Sequence, residues 1–572
     1  MRISAAWALS LVRLDFTGVA FGALFFCLSL TPSLLPRDWI SAGVIGGLNA
    51  AIGYGIGVLA GAVVRAVILR GRSWWPPSRR VRYAAQAAVV GAAAGASVLM
   101  VVPAAAWQRR VAELMGIAGP ATVGYLRILP VAVLAAAVLI ASARVVKDAI
   151  RLLARWMIRR WSVDDEVALF IGTAIVVVVI ITVVNGVLFR GFVAGASAVF
   201  QPQNSATRTG VEQPALPERS GSAESFVPWQ TLGFQGRNFV ATGPRADELT
   251  ALNGQPAKQP IRIYAGLQSA DTTDGRVALL LSELQRTRAY ERSVLVIIPT
   301  TGTGWVDPVA ARAIESVYNG DTAMVAMQYS YLPSWISFLA DQSKSVEAGR
   351  AMIDAVQRRW SQWPVDRRPV LALYGESLGA LAGQGAFGYL PDVPAMGFSS
   401  VLWVGPPNAS RLWRALTARR DPGTPEVAPR YDGGRTVRFA QSSSSAEIAT
   451  VAAPPWPRTR VLYLQHASDP VVWWSPNLLL RRPDWLTEPP GFDRSPSMRW
   501  SPIVTFFQVT ADMAANVTES AGTPAGHGHN YGDRQLDGWV AVAAPEGWTA
   551  ADTERVRRGL RDAIAAGGPE FA

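Results

Sequence analysis

One cysteine and three histidines in 572 residues exclude several kinds of chemistry. The lone cysteine, Cys27, lies in an apolar run, so no disulfide can form within the chain. An oxidising compartment permits disulfides without requiring them, so an extracellular location stays open. His466, His527 and His529 have no cysteine partners at the spacing of a zinc site, and neither a metal nor another cofactor is expected. No Asp, Glu, Lys or His stands in the middle of any long apolar run. Ionisable groups inside a membrane mark ion and proton pathways, so their lack argues against an ion-coupled transporter. The loop Pro299-Thr300-Thr301-Gly302-Thr303-Gly304-Trp305 is small and glycine-rich but lacks the lysine of a phosphate-binding loop. The formal charge of +12 comes with no nucleic-acid motif, so nucleic acid is not an expected partner.

What is present falls into two halves. Residues 1–200 are rich in Ala, Val, Leu, Ile and Gly. Five stretches there, near 16–36, 40–64, 83–106, 127–146 and 168–189, have about the 20 apolar residues that cross a bilayer as helix. Pro32 and Pro36 interrupt the first. No cleavage-site pattern precedes it, so it reads as a retained span.

Arginine placement gives the orientation. Arg65, Arg70, Arg72, Arg79, Arg80 and Arg82 follow the second stretch, and Arg144, Lys147, Arg151, Arg155, Arg159 and Arg160 follow the fourth. Both loops should face the cytoplasm and its anionic headgroups. The N-terminus, with Arg2 and Arg13, is then inside, and everything after the fifth span is outside the plasma membrane. Arg151, Arg155 and Arg159 recur every four residues beside Trp156 and Trp161, which suits either an interfacial helix or an extension of the fourth span. Gly43, Gly47, Gly53, Gly57 and Gly61, with Gly91 and Gly95, recur at helical spacing. Such stripes let helices approach closely, within the bundle or in a homo-oligomer.

Residues 201–225 are rich in Gln, Ser, Pro, Gly and charge and read as a flexible linker. Residues 226–572 alternate strand and helix patterns. Strands are expected at Ile261 to Gly266, Val294 to Ile298, Ala323 to Gln328, Val370 to Tyr374, Val401 to Val404 and Val461 to Leu464. Helices are expected at Arg276 to Arg286, Ser345 to Trp360, Val504 to Ala515 and Thr553 to Ala566. This alternation implies a mostly parallel sheet covered on both faces. The stretch holding Trp473, Trp474, Trp485 and Trp500 could wall an acyl groove, touch the membrane surface or serve as ordinary core.

Val370 to Tyr374 runs into Gly375-Glu376-Ser377-Leu378-Gly379 and then a small-residue helix. Strand, Gly-x-Ser-x-Gly and helix form the nucleophile elbow of an α/β-hydrolase. A serine nucleophile needs a base and an orienting acid, which follow it in the order Ser, Asp, His. Asp469, just past the Val461–Leu464 strand, suits the acid. Gly526-His527-Gly528-His529-Asn530-Tyr531 holds the base. The pattern does not separate His527 from His529, and the reading leans to His529. His466 reads as structural. The oxyanion donors are expected to be the amide of Leu378 and that of Thr301 or Gly302.

Together with the elbow and the histidine loop, Trp229 to Gly233, Pro299 to Trp305 and Gln328 to Trp335 resemble the actinobacterial multi-pass membrane α/β-hydrolase family. The resemblance implies an α-helical transmembrane bundle followed by an α/β-hydrolase domain, with a serine-hydrolase site on Ser377. The substrate suggested by that arrangement is a lipid or cell-envelope ester, hydrolysed or transferred. The competing reading is a non-catalytic scaffold for envelope assembly.

Overall fold

The computed structural model describes residues 14–68, 78–340, 342–518 and 523–571. Arg2, Arg13, Arg70 and Arg72 lie outside the described residues. The chain divides into two units. The first comprises the chain up to Phe192 together with Pro476–Leu486 and Ser495–Asp512, and the second comprises the rest.

In the helical unit, α1 (Phe16–Ser29), α2 (Trp39–Val63), α3 (Arg79–Leu114), α4 (Ile128–Trp161) and α5 (Asp165–Ile181) correspond to the five apolar stretches. Four helical segments are long and apolar enough to cross a membrane: Trp39–Val67, Tyr83–Leu114, Thr122–Trp161 and Asp165–Val184. With 14 residues, α1 is shorter. At 1.5 Å per residue it reaches about 21 Å, against about 30 Å of hydrocarbon. The Asp15 carboxylate starts α1 by accepting from Gly18 N, and Asp38 starts α2 by accepting from Ile40 and Ser41 N.

The glycine stripe of α2 packs inside this unit. A Cβ on Gly53 or Gly57 would stand 2.6 Å from the carbonyl oxygens of Phe21 and Thr17, and one on Gly47 would stand 2.5 Å from that of Ala132. Gly91 and Gly95 meet nothing within 4 Å.

The same unit receives residues of the helix Val504–Thr518 from far along the chain. Asp512 is buried and accepts from the Ser33 hydroxyl, from Leu34 N at 3.0 Å and from Arg37 Nε at 2.8 Å. Gln508 Nε2 donates to the Ser29 carbonyl at 3.0 Å. Residues 226–572, expected from the sequence to form one domain, divide: Pro476–Leu486 and Ser495–Asp512 group with the helical unit, and hydrogen bonds from Gln508 and Asp512 hold the second of these there.

In the second unit, seven strands form one parallel sheet in the order β1-β3-β2-β4-β5-β7-β6. They are β1 (Ile261–Ala265), β2 (Val294–Pro299), β3 (Thr322–Met327), β4 (Val370–Glu376), β5 (Phe398–Val404), β6 (Val437–Ala440) and β7 (Arg460–Leu464). Helices of this half of the chain include α6 (Thr273–Arg286), α7 (Pro308–Val317), α8 (Gln342–Ser361), α9 (Leu378–Gln384), α10 (Val504–Thr518), most of which groups with the helical unit, and α11 (Arg534–Ala543). Near-continuous Val, Ile, Leu and Ala runs suit strands buried on both faces. β6 went unread because it is a four-residue edge strand interrupted by Arg438.

Residues 206–225 are no free tether. Arg219 and Ser220 are buried, Ser220 N donates to the Arg262 carbonyl at 3.1 Å, and Ser220 Oγ donates to Glu283 at 2.8 Å. Their composition is polar, but the ends of β1 and α6 supply matching partners. Trp473 and Trp485 are buried, whereas Leu480 is exposed.

Candidate active site

β4 ends where β2 and β5 flank it, so the residue after it stands at the carboxyl edge of the central strands. Open α/β sheets bind ligands at that edge. Ser377 occupies this turn with φ 53° and ψ −124°, and its N–H donates to Val404 O at 2.9 Å. A positive φ on a residue with a Cβ is strained and is held only by its surroundings. Those surroundings demand glycine on both sides. A Cβ on Gly375 would stand 2.6 Å from Gly379 O, and one on Gly379 would stand 2.3 Å from Pro299 O. The second contact also brings the loop after β2 against the start of α9.

Asp469, fully buried after β7, accepts three hydrogen bonds. Its Oδ1 takes Val471 N at 2.8 Å, and its Oδ2 takes His529 Nδ1 at 2.7 Å and the Tyr531 hydroxyl at 2.8 Å. The donation to a carboxylate places the His529 proton on Nδ1. Its Nε2 is left as the basic lone pair, buried and without a hydrogen-bond partner among the described residues. Burial opposes the imidazolium, but Asp469 and then Glu376 outweigh it and hold His529 above its ordinary pKa.

His527 is directed elsewhere. Its Nδ1 lies 3.3 Å from Asp493 Oδ2. The two histidines left open by the sequence are therefore served by two different carboxylates, and only His529 meets Asp469. His466 is fully buried, and burial lowers its pKa.

As the first residue of α9, Leu378 has an N–H with no intrahelical acceptor. Thr301 N instead donates to Trp305 O at 3.4 Å within its own loop. Gly302 N has no backbone partner among the described residues, which makes it the freer of the two expected donors. Leu378 also belongs to an apolar cluster with Phe338, Leu381, Val471 and Met513.

Three contributors went unread in the sequence. Tyr531 reaches Asp469 from two residues past His529. Gly405, after β5, makes room for the imidazole: a Cβ there would stand 2.5 Å from His529 Cε1. Its φ of +52° adds strain for any other residue. Gly405→Ala should slow reaction at Ser377 by about 100-fold while the protein stays folded. Probe-labelling kinetics beside a thermal melt check this.

Glu376 is the third. It is buried beside the nucleophile, and burial, followed by Asp307, pushes its pKa up to about 8. Tyr374 Oη lies 2.7 Å from Glu376 Oε2 and 2.6 Å from Gln535 Oε1. With one hydrogen to give, Tyr374 donates to the amide when Glu376 carries its own proton. The stabilising effect of this raised pKa is complete below about pH 4.5, the ordinary value, and is lost as pH rises through about 8. Unfolding midpoints of wild type and Glu376→Gln across that window should therefore diverge, the wild type losing stability as pH rises.

Among the described residues, no group of His, Cys, Asp and Glu could hold a metal ion. A cavity of about 620 Å³ lies elsewhere, lined by Ile448, Val540, Trp548 and Arg557 among others, and contains none of the residues above.

Comparison with protein families agrees with this geometry. Residues 261–556 match an alpha/beta-hydrolase family, and residues 30–244 match the N-terminal region described for the alpha/beta-hydrolase family. The chain belongs to the alpha/beta-hydrolase family. No curated protein and no solved structure matches it. The family matches span both the apolar helices and the parallel sheet, so this alpha/beta-hydrolase carries its helical region as a family feature.

Proposed function

We propose that the protein is a membrane-anchored serine hydrolase or acyltransferase acting on lipid or cell-envelope esters outside the cytoplasm. The observation that carries this is the 2.7 Å Asp469–His529 pair with a free Nε2, in a domain whose elbow presents Ser377 at φ 53°. Ser377 Oγ attacks the ester carbonyl and gives its proton to His529 Nε2. Asp469 and Tyr531 hold the imidazole in the required tautomer. The amides of Leu378 and Gly302 receive the oxyanion. His529 then returns the proton to the leaving alkoxide, and water or an acceptor alcohol takes the acyl group by the reverse sequence.

The location rests on the arginine-rich loops. They follow the second and fourth apolar stretches of the sequence, and such basic loops stay on the cytoplasmic side. A site beside the outer leaflet favours esters of lipids or envelope glycolipids. Wild-type protein should react with a fluorophosphonate probe and Ser377→Ala should not. A membrane-impermeant probe should label intact cells. A wild type that never labels supports the scaffold reading, and labelling only after lysis overturns the placement.

A further inference from the structure

All three histidines of this chain meet in one buried network, and only one of them pairs with Asp469. The other two hold the loop that carries it. Gly528 lies between His527 and His529. Its carbonyl lies 2.8 Å from His466 Nδ1. A carbonyl can only accept, so Nδ1 carries the proton and the ring is neutral on its Nε2 side. The Gly528 N–H donates to Ser468 Oγ at 2.8 Å. Ser468 Oγ in turn donates to Asp493 Oδ2, and Ser468 N donates to Asp493 Oδ1 at 3.0 Å. Asp493 Oδ2 also faces His527 Nδ1 at 3.3 Å.

Ser468, Asp493 and His466 are fully buried. The His466 ring stacks on Tyr531 at 4.0 Å, and the Tyr531 hydroxyl accepts from His466 N at 3.1 Å while donating to Asp469. The turn itself is closed by Gly526 N donating to Asn530 O at 2.7 Å and Asn530 N donating to His527 O at 3.0 Å.

We infer that Asp493, through Ser468 and His527, is the positioning carboxylate of this site. It clamps the peptide at Gly528 so that His529 stays in register with Asp469. The inference rests on the hydrolase reading for its consequence and on the hydrogen bonds for its geometry. Ser468 is no second nucleophile: its hydrogen goes to Asp493 and its lone pair receives Gly528 N–H. Asp493 is a buried acceptor whose partners are one loop residue on each side of the site, Ser468 beside Asp469 and His527 beside Gly528. It belongs to Thr487–Arg494, a short return to the hydrolase unit between two stretches that belong to the helical unit.

Asp493→Asn keeps the shape but loses the carboxylate. A loosened Gly528 peptide lets His529 drift from Asp469, and drift of about 1 Å costs on the order of 100-fold in rate. Two readouts are taken on the full chain. Imidazole ¹⁵N NMR follows the titration of the three histidines, and fluorophosphonate labelling rate is measured against pH. In Asp493→Asn the His529 midpoint should fall, because its main charge partner is no longer held. Labelling should slow about 100-fold, with its acid limb moving to lower pH. Ser468→Ala, which removes the same bond to Gly528, should do likewise and decides the matter if Asp493→Asn fails to fold. An unchanged His529 midpoint and unchanged labelling in Ser468→Ala overturn the inference. A wild type that does not label overturns the hydrolase reading alone, since the NMR midpoints still report whether Asp493 positions His529.

Discussion

Replacing His529 with Ala should lower ester turnover by about 10⁶-fold, and Asp469→Asn should lower it by about 10⁴-fold. His527→Ala should lose no more than about 100-fold. The order follows from the hydrogen bonds. In the proposed mechanism His529 accepts the Ser377 proton, because its Nδ1 proton is committed to Asp469 and its Nε2 has no hydrogen-bond partner among the described residues. An amide in place of Asp469 can donate to Nδ1 and so favours the wrong tautomer, leaving no lone pair on Nε2. Tyr531 would still bond the amide oxygen but cannot correct this. His527 lies against Asp493 and touches the reaction only through the backbone of its loop. Turnover of a soluble p-nitrophenyl ester by the detergent-solubilised protein measures all three. If His527→Ala proves the more damaging substitution, the assignment of the base is wrong.

Glu315→Ala should destabilise the hydrolase unit by about 3–5 kcal/mol. Arg262 on β1 and Glu315 on α7 form a bidentate pair, 2.7 Å for each bond, with side chains 2% and 0% exposed. The third guanidinium nitrogen, Nη1, donates to Phe239 O at 2.8 Å, so Arg262 is satisfied only while Glu315 is present. Arg219 lies in the same region, and burial followed by the charge of Arg262 lowers its pKa to about 9. Removing Glu315 leaves the buried Arg262 guanidinium without its carboxylate and within the field of the buried Arg219. The cost is that of an uncompensated buried charge rather than the net worth of the pair. An Arg262→Met, Glu315→Leu double variant, which removes both charges, should therefore recover most of the loss. Denaturant midpoints of the single and double variants measure it. Equal destabilisation in both would show that packing, and not charge, dominates at this position.

Much of the chain was legible from local pattern. Long apolar runs give helices, because a buried backbone must satisfy its own hydrogen bonds. Unbroken Val, Ile and Leu runs ahead of glycines give parallel strands and a turn at Ser377. The order of Ser377, Asp469 and the histidine loop also needed no coordinates. These features depend on neighbours a few residues apart. What pattern could not supply were contacts across about 60 residues or more: which of two histidines meets Asp469, which glycine clears space for its ring, and which half of the chain holds residues 495–512. His527 and His529 have near-identical flanks, so only the placement of Asp469 and Asp493 in space distinguishes them. A loop's direction is set by the groups that bond it, and those come from distant segments that folding alone brings together.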